Sequence, residues 1–177
     1  MPGTKPADKL AVSLMTISNP ITSQIVAFLG EIGLEVRAGI IHEPTVLPGI
    51  QIAAGGLVVD DLKLLYPGDL LHEAGHLAVT SADERARLNG DVGQGPAEEM
   101  AAIAWSYAAA RHLNLDPAVV FHAAGYRDGG ASLLENFNSG YYIGLPMVQW
   151  LGLALDDKNA RQAGLPAYPI MLKWLRD

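Results

Sequence analysis

The chain has 177 residues, half of them hydrophobic, with 12 Lys and Arg against 19 Asp and Glu and no cysteine. That length suits one domain with enough apolar material for a buried core, and it excludes a disordered or collagen-like chain. A net charge of −7 argues against a nucleic-acid or anionic-membrane role, and the missing cysteines remove disulfides, thiol catalysis and Cys-ligated metal sites.

The sequence reads as a single domain over 1–177. Residues 1–9 form a loose leader, 10–113 the core of the chain, and 114–177 a helical C-terminal part of the same domain. Ser18-Asn19-Pro20 predicts a helix start, and Ile25, Phe28, Leu29 and Ile32 recur at helical spacing up to Gly33. Short β-branched runs at 35–41, 50–52 and 56–60, split by Pro and Gly, predict a small antiparallel sheet. A helix is expected from about Pro67–Asp69 to Val79, then a Gly-rich loop over 80–95 with a short helical turn near 83–88. Pro96 opens the longest helix, to about Leu113. Asp116-Pro117 restarts a short helix, and Ser132-Leu-Leu-Glu135 has capping-box spacing. Pro146 and Pro169 each open one more. The expected fold class is α+β, mostly helical. The longest late apolar stretch, Ile143 to Leu155, carries Gln149 and two glycines and is shorter than the ~20 residues a membrane span needs. With no signal segment read at the start, the expected location is cytoplasmic.

Chemistry concentrates in His72-Glu73-Ala74-Gly75-His76, which uses two of the five histidines and lies in a predicted helix. Four helical residues turn through about 400°, so both imidazoles share a face one turn apart and can reach one metal ion. Glu73 sits beside them, where its carboxylate can take a proton from water. Nitrogen ligands and an open position suit zinc (Zn2+). The third ligand is expected from Glu99 or Glu98, at the head of the helix opened by Pro96. Glu99 shares a stripe with Ala102, Ile103, Ser106 and Ala110, whereas Glu98 falls with Trp105, Ala109 and His112. The small residues of that helix and Gly75 in the other favour close approach of the two.

On these residues the chain resembles the HExxH zincin metallopeptidases. A downstream Glu in an E-x-x-A setting, as in Glu98-Glu-Met-Ala101 or Glu99-Met-Ala-Ala102, is similar to the compact gluzincin branch. The resemblance implies a zincin-like core: a small antiparallel sheet, with an HExxH helix packed on a Glu-bearing ligand helix. It implies zinc on His72, His76 and Glu99 (or Glu98), with Glu73 as general base. The family's acidic residue a turn beyond the ligand Glu is missing, since Ala102, Ile103 and Ala104 stand there. The groups behind His72 and His76 are therefore unassigned. HEAGH also resembles the FtsH-type proteases, whose ATPase domain this chain is too short to hold and whose later Asp ligand has only Asp156 or Asp157 as a counterpart. Metzincin spacing is absent, and no second E-x-x-H supports a di-iron bundle.

In the polar stretch from Phe121 to Gly130, His122 and Tyr126 are candidates to stabilise an oxyanion. His42 is a further possible ligand or a surface residue, and Asn136, Asn138, Tyr141 and Tyr142 are possible cleft residues. The apolar segment from Leu145 to Leu153, with Trp174, is core or a homodimer face. The expected function is a zinc-dependent metallopeptidase, a hydrolase acting on a peptide or protein substrate, whose extended chain could pair with the strand at 56–60. The alternative is a non-catalytic or regulatory protein with a structural metal site.

Overall fold

The computed structural model describes residues 17–90, 92, 95–126 and 130–177, so the leader at 1–9 lies outside the described residues. Helix α1 (Pro20–Glu31) begins as the sequence predicts. The Asn19 side chain accepts hydrogen bonds from the backbone N–H of Ile21 and Thr22, and Pro20 occupies the first turn. Strand β1 (Val36–Ala38) follows, then β2 (Ile50–Ala53) and β3 (Gly56–Val59).

The sheet is mixed rather than antiparallel. Its order is β1-β3-β2, with β1 parallel to β3 and β2 antiparallel to β3. Ala54 and Gly55 both adopt positive φ, 50° and 74°, the conformation that two-residue hairpin turns require. The hairpin folds β3 back inside β2. The long connection over 39–49 first carries the chain past the vacant central position, which leaves β1 as one edge and β2 as the other. The strand at 56–60, expected to meet a substrate, is thus the central strand with both edges occupied.

Helix α2 (Asp69–Val79) carries the HEAGH segment, and a short α3 (Ala82–Arg85) follows. Leu70, Leu71, Ala74, Leu77 and Ala78 of α2 are fully buried. The Arg85 guanidinium closes the helix end, donating to the carbonyls of Leu77 (3.2 Å), Thr80 (2.9 Å) and Arg176 (3.3 Å). Helix α4 (Pro96–His112) is buried on all sides from Ala101 to Ala110, as befits the central helix of a bundle. One side meets α2. Elsewhere Trp105 meets Phe28 and Trp174, and Tyr107 meets Phe121, Phe137 and Tyr168.

A 3-10 turn spans Pro117–Val119, capped by Asp116. Helix α5 (Ala131–Asn138) places Ser132 inside its first turn, so the expected capping box does not form. The helix instead starts from Gly130 at φ 74°, where a Cβ would lie 2.3 Å from the Phe121 carbonyl oxygen. Helix α6 (Leu145–Trp150) forms near Pro146, but no helix opens at Pro169. The last helix, α7 (Asp157–Ala163), has no counterpart in the sequence reading. Asp156 caps it, accepting from the Asn159 N–H at 2.8 Å. The fold is α+β: helices around a three-stranded mixed sheet. Among the described residues no helix is long and apolar enough to cross a membrane.

Candidate metal centre

The α2–α4 contact is the most extensive between any two elements. It is close because Gly75 faces the backbone of Ala102, where a Cβ would be 2.8 Å from the carbonyl oxygen. Ser106 ties the two helices, its hydroxyl bonded to the carbonyls of Leu71 at 3.2 Å and Ala102 at 2.6 Å. The stripe of α4 that meets α2 is therefore Glu99, Ala102 and Ser106. Glu99 reaches the histidines, whereas Glu98, one residue earlier, is exposed and outside the group.

His76 Nε2 lies 3.1 Å from His72 Nε2 and 3.0 Å from Glu99 Oε2, and His72 Nε2 lies 3.5 Å from Glu99 Oε1. Two ligands bonded to one tetrahedral zinc at ~2.0–2.1 Å are about 3.3–3.4 Å apart, so the three spacings straddle that value. The electrostatics suit ligation too. Burial, and then the neighbouring His76, push the His72 imidazole down to about 4, which leaves its lone pair unprotonated at neutral pH. The hydrogen bond to His76 holds the Glu99 carboxyl below its usual range, against the effect of burial.

These residues open onto a cleft of about 560 Å³. One wall is polar: Asp69, His72, Glu73, His76 and Glu99, with Tyr126. The other is largely apolar, from the loop at 44–47 and the inner residues of β2, Ile50 and Ile52. Strand β2 is the sheet edge at the cleft, and both its ends are held: the Ile50 N–H donates to the Leu47 carbonyl at 3.2 Å. Gly90 N–H donates to the Ile52 carbonyl, and Ala54 N–H to the Asn89 side chain, both at 2.9 Å.

The two downstream candidates separate. Tyr126 lines the cleft, and its hydroxyl lies 3.4 Å from His72 Nδ1. Burial raises its phenol above the ordinary value, with Glu99 and Asp69 adding to the effect. With His72 Nε2 turned to the cluster, Nδ1–H can donate to the Tyr126 oxygen, which supplies one of the outer groups the sequence left unassigned. His122 is not on the cleft wall. Its Nε2 bonds Asp69 Oδ1 at 2.7 Å, and its ring stacks on Tyr66 with centroids 3.9 Å apart. Gly68 makes this possible. A Cβ there would lie 1.9 Å from the Val119 carbonyl oxygen, so only glycine lets the 117–120 turn cross the head of α2 and deliver His122 beside Asp69.

The sequence reading missed Asp69. Its spacing was the available signal, since it stands three residues before His72 and four before Glu73, on the same helical face. His42 is exposed, and Asp156 caps α7 away from the cleft. Tyr141 and Tyr142 line a separate hollow of about 260 Å³ with Asp156. Trp174 is packed against Phe28 and Trp105, while Trp150 is 74% exposed. Compared with protein-family models, curated proteins and solved structures, the chain matches none.

Proposed function

We propose that the protein is a zinc-dependent peptidase of the compact gluzincin kind, with the metal held by His72, His76 and Glu99. The observation that carries this reading is the 3.0–3.5 Å spacing of the two Nε2 atoms from each other and from the Glu99 carboxylate, His72 meeting Oε1 and His76 Oε2, on the wall of a cleft that Glu73 also lines. Zinc bound there would polarise a carbonyl and acidify water. Glu73 takes a proton from the attacking water and passes it to the leaving amine. His72 and His76 present Nε2, and Tyr126 holds the far side of the His72 ring. The apolar wall at Ile50 and Ile52 shields the reacting bond from solvent. His122 acts through Asp69, because its Nε2 is already engaged there.

The test is metal analysis of the purified protein, with hydrolysis of a fluorogenic peptide library by wild type and Glu73→Gln. One zinc per chain in both proteins, with hydrolysis reduced at least about 100-fold in the variant, supports the proposal. Absence of metal uptake, or equal hydrolysis by Glu73→Gln, overturns it.

A further inference from the structure

Asp69 is a buried carboxylate at the wall of the cleft, with only 8% of its side chain exposed. Burial pushes its acid up, and the bond to His122 opposes that shift. Among the described residues only His122 bonds it, and only through Oδ1. The second oxygen has no protein partner among the described residues and is not an enclosed atom, so it opens onto the cleft that Asp69 lines. A mostly buried carboxylate with one oxygen open to the cleft is completed there by water or, more strongly, by a cationic group. His122 makes the group rigid as well as buried. Its ring is stacked on Tyr66 and its Nδ1 is enclosed without a partner, so Nε2–H on Asp69 is the ring's one polar attachment.

We infer that Asp69 anchors the protonated α-amino group of a peptide, so that the cleft takes free N-termini whose first side chain is apolar. The inference rests on the peptidase reading above. The distances suit it. An α-nitrogen is ~2.5 Å from its own carbonyl carbon, from standard backbone dimensions, and a charge-assisted N–H···O bond is about 2.8 Å. A carbonyl carbon anchored this way lies about 5 Å from the Asp69 oxygen. Along α2, His72 and Glu73 stand about 4.5 and 6 Å of backbone rise beyond Asp69 on the same face, so an amine held at Asp69 brings its carbonyl to the turn that carries them. The first side chain then meets the wall formed by Val46, Leu47, Ile50 and Ile52. An acetylated or internal peptide has no ammonium to complete the carboxylate, and its extra atoms crowd the position where Asp69 and His122 are fixed.

The experiment compares calorimetric binding of L-leucinamide and N-acetyl-L-leucinamide to zinc-loaded Glu73→Gln protein, which is not expected to turn the probes over. Leucinamide is expected to bind at least about tenfold tighter, the effect of one charge-assisted hydrogen bond. Adding Asp69→Asn, or Asp69→Ser as a second removal, should erase that preference. Equal binding of the two probes, or binding of neither, overturns the inference. So does a preference that persists without the carboxylate, because the amine would then be held by the zinc. Wild-type hydrolysis separates the two failures: cleavage of acetylated peptides as fast as free ones leaves the peptidase reading standing and removes the amine anchor, whereas absence of all cleavage removes the peptidase reading itself.

Discussion

Replacing Gly75 with alanine puts a methyl carbon 2.8 Å from the Ala102 carbonyl oxygen, 3.1 Å from Ser106 Oγ and 3.3 Å from Ala102 Cα. Ordinary carbon–oxygen contact begins near 3.3 Å, so α2 and α4 must part by roughly 0.5 Å. Ser106 can rotate, but the Ala102 backbone cannot yield without moving the helix that carries Glu99. Removing a mid-helix glycine gains about 1 kcal/mol, while forcing a methyl into a packed contact costs about 1–3 kcal/mol. The net expectation is a loss of up to about 2 kcal/mol. Gly30, near the end of α1, is the internal control: nothing lies within 4 Å of its Cβ position. Gly30→Ala should therefore stabilise by about 0.5–1 kcal/mol. For a chain of this size 1 kcal/mol moves Tm by about 2–4 °C, so thermal unfolding of the metal-free proteins resolves opposite signs. The same 0.5 Å exceeds the ~0.2 Å tolerance of metal–ligand distances, so Gly75→Ala should also weaken zinc binding by at least about tenfold in a competition titration. A Gly75→Ala protein that is more stable than wild type and binds zinc equally would refute the claim that helix approach sets the ligand geometry.

Glu99→Gln should reduce zinc affinity at least about tenfold by chelator competition, whereas Glu98→Gln, on the exposed side of the same turn, should leave it unchanged. Equal losses from both would remove Glu99 from the centre. Arg85→Met keeps the aliphatic stem and deletes the cap on Leu77, Thr80 and Arg176. Hydrogen bonds from a charged group contribute about 1.5–3 kcal/mol, so urea unfolding should show a loss of about 2 kcal/mol, and an unchanged midpoint would show that the cap is idle. Tyr126→Phe should lower zinc affinity by about 10–100-fold without unfolding the protein, because it removes only the acceptor behind His72. Full loss of the metal would instead place Tyr126 among the ligands.

Local signals carried much of the architecture. Asn19 caps α1, and Pro20 and Pro96 fix φ in the first turns of α1 and α4, effects that depend on neighbours in sequence, while α2 starts at the Pro67–Asp69 break without a side-chain cap. The HEAGH spacing alone put two imidazoles on one face, since helical pitch fixes it. The same local logic failed where a long-range partner decided. Ser132 and Glu135 had the spacing of a cap, but Gly130 folded under Phe121 and took over the start. Asp156, read as a possible counterpart of a later Asp ligand, is instead the cap of α7.

What the sequence settled by itself is the helix that holds His72, Glu73 and His76, because one turn of α-helix brings i and i+4 together whatever surrounds it. The tertiary structure decided the rest. The helical wheel favoured the Glu99 stripe, but that Glu99 rather than Glu98 reaches the histidines follows from which stripe of the buried helix lies against Gly75. The parallel pairing of β1 with β3 depends on where a long connection returns, not on the composition of either strand. The union of Asp69 with His122, 53 residues apart, depends on a glycine that admits another segment's backbone. Contacts of this kind are set by the approach of distant surfaces, and no spacing along the chain encodes them.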